Sequence, residues 1–227
     1  MDRSIWLKEI RRLNEEQETL LAPSYDEKWG AIAPLHQQCF EHFLSLCPPQ
    51  GHLLDAACGT GKYWSLILAS DRTVFGIDQS QGALLRACEK FPDVPSYKVG
   101  LQEMNYLEMF SGAVCVDAME KICPEDWPLV MHNLYHAIMP KGYLYFTVEL
   151  TRKQEIQEAF AEGQHLGLPV VYGEADWLEE GGYRWGRGGY YHYYPEMEQV
   201  KEWVQQAGFQ VIEELADVEY HHVLVLK

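Results

Sequence analysis

From Gly51 onward, short apolar runs alternate with stretches patterned for helices, and this rhythm limits the possible fold more than any other feature of the chain. The runs are Leu53-Leu54, Val74 to Ile77, Tyr97 to Val99, Ala113 to Val116 and Tyr143 to Val148. Strands this short and this apolar, separated by helices, belong to a parallel sheet buried on both faces. The expected fold class is α/β, a doubly wound, seven-stranded and mostly parallel sheet. Two last strands, Phe209 to Glu214 and Val218 to Leu226, lie close enough in sequence to form a C-terminal antiparallel hairpin.

At 227 residues the chain has room for one domain with a modest appendage. Four segments divide this single domain, 1–227: an N-terminal helical cap (1–47), a core (48–150), an insertion or lid (151–194), and a C-terminal helix and hairpin (195–227). In the cap, Trp6, Ile10, Leu13, Gln17 and Leu20 trace a near-heptad stripe on an amphipathic helix that Pro23-Ser24 should end. Leu35, Cys39, Phe43 and Leu46 mark a second helix, closed by Pro48-Pro49. Trp127, Val130, Met131, Leu134 and Ile138 share one face of a helix that should stop before Pro140-Lys141-Gly142, and Gly208 should stop another marked by Met197, Val200 and Val204. After a charged helical stretch, the insertion packs eight glycines into 163–189 and six tyrosines into 172–194, a composition suited to a loop or hairpin covering a pocket.

Charge excludes some partners. Eighteen Lys and Arg against 34 Asp and Glu give a net charge of −16, so nucleic acid or an anionic membrane meets net repulsion. The N-terminus carries charges every few residues and no apolar run of signal or spanning length, so a cytoplasmic protein is expected. The six cysteines form no CxxC pair and no Cys/His cluster at zinc spacing, so they read as reduced core thiols and no metal is expected.

The most informative stretch is Leu53-Leu54-Asp55-Ala56-Ala57-Cys58-Gly59-Thr60-Gly61, a strand running into a glycine bend and then a helix. Glycine there admits backbone angles closed to other residues and lets a ligand approach the main chain, while amides at the helix start favour an anionic group. A second strand, Val74-Phe75-Gly76-Ile77-Asp78, ends in a carboxylate 17 residues after Gly61. Loop and carboxylate together read a nucleoside, the acid accepting from ribose hydroxyls. A dinucleotide is disfavoured, because the small residue its fingerprint needs three places after the second glycine is here Trp64. Asp55 would repel a pyrophosphate but can orient an ammonium group.

These motifs, with Gly76-Ile77-Asp78-Gln79-Ser80, Val99 to Met104, Ala113 to Glu120, Ile138 to Tyr143 and Ala207 to Val211, resemble class I S-adenosylmethionine-dependent methyltransferases. The likeness is close over about residues 50–150 and looser over 195–227. It implies that the glycine loop, with Asp55, Ala57, Gly59, Thr60 and Gly61, holds the methionine part of S-adenosylmethionine. It further implies that Asp78 binds the ribose, that Gln79 lies beside the adenine, and that Asp117 lies near the sulfonium or the methionine amine. Where the family commonly places an adenine-binding Asp, this chain has Gly100-Leu101-Gln102-Glu103, leaving that contact to Gln102, Glu103 or the backbone. Tyr25 stands in a segment resembling the N-terminal stretch that closes over the cofactor in small-molecule members.

The motif after strand four, Asp117-Ala118-Met119-Glu120, is not the one that marks nucleic-acid amine methylation, and no arrangement argues for a catechol-type Mg²⁺ site. The reading is in-line methyl transfer to a small-molecule O or N acceptor, by a monomer or homodimer. A protein or peptide methyltransferase, and a catalytically silent S-adenosylmethionine-binding partner, are the alternatives. Because the sulfonium is already activated, positioning can dominate. If a base is used, His192 is the first candidate and Glu120 the next, with His132 behind them. Trp177, Trp185 and Arg187 of the insertion can shape the acceptor site, and Cys123 beside Pro124 is a weak nucleophile candidate. His221 and His222 alternate along a strand and so make a poor joint site.

Overall fold

The computed structural model describes residues 1–177, 185 and 190–227. Two helices lead, α1 (Arg3–Trp29) and α2 (Pro34–Leu46), followed by β1 (His52–Ala56), α3 (Trp64–Ala69), β2 (Thr73–Asp78), α4 (Gln81–Lys90), β3 (Ser96–Lys98) and β4 (Phe110–Cys115). Then come a 3-10 turn (Met119–Lys121), α5 (Trp127–Ala137), β5 (Ile138–Glu149), α6 (Lys153–His165), β6 (Glu174–Trp177) and β7 (Tyr190–Tyr193). The chain closes with α7 (Met197–Ala207), β8 (Gln210–Ala216) and β9 (Tyr220–Leu226).

Seven strands form one sheet in the order β3-β2-β1-β4-β5-β9-β8. The first five in that order are parallel, β9 runs antiparallel to β5, and β8 runs antiparallel to β9, as the hairpin pattern requires. Adjacent residues on a strand point to opposite faces, and the core divides accordingly. Leu54, Ile77, Ala113 and Phe146 pack with α5 and α7 on one face, while Leu53, Val74, Val114 and Tyr145 pack with α2, α3 and α4 on the other. Burial on both faces is why the central strands β1 and β4 read as unbroken apolar runs, whereas the edge strands β3 and β8 are largely exposed. The α5 helix passes directly into β5, whose register on β4 jumps from Ile138 to Tyr143, so Met139 to Gly142 bulge from the ladder instead of forming a separate loop.

The cap departs from the sequence expectation in two ways. Helix α1 does not stop at Pro23 but continues through it to Trp29. A proline there removes the bond to the Thr19 carbonyl; that turn instead lies against Gly82 of α4, where a side chain would meet Thr19 backbone at 2.7 Å, and Thr19 Oγ1 bonds Ser80 Oγ at 3.0 Å. The stripe is also different. Leu13 and Leu20 are exposed, and the covered face runs through Trp6, Asn14 and Ala22. The helix lies over polar groups as well as core, so Asn14 takes a buried position, accepting from the Tyr191 amide at 3.1 Å and reaching the Tyr191 carbonyl at 3.4 Å.

Within the insertion, β6 and β7 pair as a two-stranded antiparallel hairpin. Arg187 and much of the glycine-rich stretch lie outside the described residues. Trp185 packs on Trp6 with ring centroids 5.8 Å apart and donates to the Ala159 carbonyl at 2.7 Å, so it belongs to the core under the hairpin. Among the described residues no helix is long and apolar enough to cross a membrane.

Candidate cofactor and acceptor site

In an open α/β sheet, ligands gather at the carboxyl ends of the strands where the strand order reverses. Here that point lies between β1 and β4. The bend after β1 holds Ala57 at φ 63°, Gly59 at φ 53° and Gly61 at φ 75°. The two glycines do different jobs. A Cβ on Gly59 would meet nothing within 4 Å, so its backbone faces open space. A Cβ on Gly61 would lie 2.9 Å from the Trp64 ring, and one on Gly76 of β2 would lie 2.4 Å from it. Gly61 and Gly76 thus hollow a slot for the fully buried Trp64, whose Nε1 donates to Asp55 Oδ2 at 2.8 Å. That slot is how a tryptophan occupies the place where a dinucleotide fold needs a small residue.

Asp78 ends β2 and fastens the bend, its Oδ2 accepting from the Gly59 amide at 2.8 Å and its Oδ1 from the Ser80 amide at 2.7 Å. Burial pushes its carboxyl up to about 6, against the pull of those two amides. Burial pushes Asp55 up to about 7, opposed by the Trp64 bond and reinforced by the charge of Asp78.

Asp55, Ala57, Gly59, Thr60 and Asp78 face one cavity, together with Gln79, Gln102, Asp117 and Tyr25. Helix α1 roofs it. Thr60 donates to Asp26 of α1 at 2.6 Å, Lys90 adds a 2.9 Å ion pair to the same carboxylate, and Glu18 of α1 pairs with Lys121. Two predicted residues are not among those lining this cavity. Gly61 backs onto Trp64, and Glu103 is exposed and held by the Arg11 guanidinium, with one bond of 2.6 Å. The open face of Gly59, next to the lone-pair-rich Asp78, fits a nucleoside-bearing ligand lying against the main chain.

A second cavity, of about 320 Å³, adjoins the first. Tyr25, Lys62, Asp117, Glu18 and Lys121 line both. Asp117 has φ 54°, a strained angle for a non-glycine residue, and donates its amide to Thr147 Oγ1 at 2.8 Å. Its carboxylate lies 3.1 Å from His36 Nε2 and 3.4 Å from Lys62 Nζ; these partners hold it below the ordinary range in spite of burial. Glu120 and His192 line this second cavity and are buried. Burial, with the neighbouring Glu149 carboxylate, pushes the Glu120 carboxyl up, and its Oε2 has no hydrogen-bond partner. His192 Nδ1 lies 2.9 Å from Tyr194 Oη and 3.0 Å from Glu149 Oε2.

Sequence reasoning missed Glu149, Lys62, Glu18 and Lys121. The first two had a signal: Glu149 closes β5 and Lys62 closes the glycine bend, both at the carboxyl edge of the sheet. Glu18 and Lys121 had none. His132 is exposed on α5, and burial pushes the Cys123 thiol up to about 12, which disfavours the thiolate that a nucleophile needs.

A family description, "Methyltransferase domain", matches residues 30–214. No curated protein matches by sequence. Among solved structures, the 1,6-didemethyltoxoflavin-N1-methyltransferase of Burkholderia thailandensis, determined with 1,6-didemethyltoxoflavin and S-adenosylhomocysteine, is similar at a TM-score of 0.70 and 13% identity, over 97% of this chain and 89% of that one. An S-adenosylmethionine-dependent methyltransferase of Methanosarcina mazei is similar at a TM-score of 0.67 and 14% identity, over 86% of this chain and 98% of its own. A [4+2]-cyclase, SpnF, shares the fold at a TM-score of 0.67 and 16% identity, over 96% of each chain. The strand order, the glycine bend with its paired acid, and the domain match agree, and the chain belongs to the class I S-adenosylmethionine-dependent methyltransferase family.

Proposed function

We propose that the protein transfers a methyl group from S-adenosylmethionine to an oxygen or nitrogen of a small molecule held in the second cavity. The observation that carries this reading is the shared wall of Tyr25, Lys62 and Asp117, which joins the recess at the glycine bend to a second cavity of about 320 Å³, room for a small acceptor. When bound, the cofactor supplies a methyl group on a positively charged sulfur. The Gly59 bend and Asp78 anchor it, Asp117 faces its charged end, and Tyr25 with the rest of α1 excludes water.

In this reading the chain's own chemistry is placement and proton removal. His192, oriented by Tyr194 and Glu149, takes the acceptor's proton on a ring nitrogen. Glu120 holds its own proton near neutral pH and so serves as a donor to the acceptor, or as a base only after losing that proton. The insertion hairpin, fixed to α1 through Asn14 and Tyr191, covers this space. The fit of a small cavity favours a small acceptor over a peptide. Calorimetric titration with S-adenosylmethionine and S-adenosylhomocysteine, followed by turnover on a panel of small hydroxyl and amine acceptors, tests the proposal. Binding of both without turnover on any acceptor would favour a silent binding partner, and absence of binding would end the reading.

A further inference from the structure

On the far side of Asp117 from Lys62, three side chains from distant parts of the chain converge. One ring nitrogen each of His36 and His222 and one carboxylate oxygen of Asp217 lie within 4.8 Å of one another. His36 starts α2, Asp217 sits in the β8–β9 turn, and His222 lies on β9. Both histidines are at least 96% buried, and each carries one buried ring nitrogen without a hydrogen-bond partner, Nδ1 of His36 and Nε2 of His222. Burying a polar nitrogen unpaired is costly, so this pair of orphans calls for a ligand.

Each of the three groups is also aimed by a second contact. Asp117 holds His36 through Nε2 at 3.1 Å, leaving Nδ1 as its ligand nitrogen. Tyr145 Oη holds His222 through Nδ1 at 2.8 Å, leaving Nε2. The amides of Glu219 and Tyr220 hold Asp217 Oδ1 at 2.8 Å each, leaving Oδ2, which lies 3.8 Å from His222 Nε2. That gap is too long for a hydrogen bond and suits two donors on one ion at about 2 Å from each. Oriented histidines with one nitrogen tied to a carboxylate or hydroxyl and the other free are how proteins prepare metal ligands.

We propose that His36, Asp217 and His222 bind one divalent first-row transition ion, with Zn²⁺ as the representative. Two imidazoles and one carboxylate are a donor set for zinc and its neighbours and a poor one for Mg²⁺ or Ca²⁺. The half-exposed Asp217 leaves the site open to solvent on one side. Bound there, the ion staples α2 to the C-terminal hairpin and stiffens the back wall of the second cavity, which His36 lines. The cysteine and histidine spacing that argued against a metal missed this set because the ligands come from opposite ends of the chain.

The test uses the full-length protein stripped with a chelator and then dialysed. Zn²⁺ titration by calorimetry is expected to give one site, Co²⁺ to give visible d–d absorption, and Zn²⁺ to raise the melting temperature. His222→Gln and Asp217→Asn should each weaken Zn²⁺ binding by about tenfold or more, while Glu149→Gln should leave it unchanged. Asp217→Asn keeps the oxygen that caps the turn amides, so it folds; circular dichroism and denaturant titration of the metal-free variant beside the metal-free parent check this. Absence of Zn²⁺ binding by the stripped protein would overturn the proposal. So would binding lost in Glu149→Gln and kept in the other two variants, which would move the ion to the Glu120, Glu149 and His192 cluster.

Discussion

The two cavities share a wall but are built differently. On the cofactor side one continuous stretch, the bend from Asp55 to Lys62, joins Asp78 and Gln79, and α1 and the segments after β3 and β4 complete the lining. The proposed acceptor side is lined by residues from α1, the link to α2 and its start, the segments after β1 and β4, the end of β5, the hairpin and the β8–β9 turn. Backbone recognition of a constant ligand needs few residue types and tolerates little change. Side-chain recognition can be rebuilt by changing any one element, which is why related folds accept different substrates.

If the two sides are separable, substitutions should act on one and spare the other. The largest expected effect is on the acceptor side: His192→Ala should lower turnover by about a hundredfold with S-adenosylhomocysteine affinity unchanged, measured by steady-state kinetics beside calorimetry. Undiminished turnover would mean that positioning alone suffices. Next is the slot under Trp64. Gly76→Ala forces a Cβ to within 2.4 Å of that ring, and should destabilise the fold by about 2 kcal/mol in denaturant titration.

Asp78→Ala should weaken S-adenosylhomocysteine binding by more than tenfold, about 1.4 kcal/mol, while circular dichroism remains that of the parent. Unchanged affinity would remove the ribose role. The smallest effect is electrostatic. Asp55 and Asp78 are held at about 7 and about 6 in the folded chain, above the unfolded carboxylate value of about 3.9. The folded state therefore binds more protons through the window from about pH 4 to about pH 7, and stability should fall as pH rises through it. Asp55→Asn keeps an acceptor for Trp64 and removes part of that loss, raising the melting temperature by about 5 °C at about pH 8 and by less at about pH 5.

How much was legible follows from the same division. The parallel core, the C-terminal hairpin, the glycine bend and the acid that ends β2 could be read directly, because strand burial and the glycine bend are local patterns. Helix α1 was recognised as a helix, but its buried face was misjudged: the stripe assumed an apolar partner, and the surface it meets asks for Asn14 and Glu18 as well as Trp6. Glu103 was taken from a family position, yet Arg11 of the cap claims it. His222 was set aside because its sequence neighbour faces away, while its true companion is His36.

The sequence by itself determined the mostly parallel sheet, its C-terminal hairpin and the glycine bend beside the acid that ends β2, since hydrophobic period and the angles open to glycine act within a few residues. Tertiary structure alone decided which acids, histidines and tyrosines meet beyond Asp117. Those meetings depend on how a cap helix, a hairpin and the final strand close over one sheet edge, and packing of remote elements leaves no spacing in the chain to read.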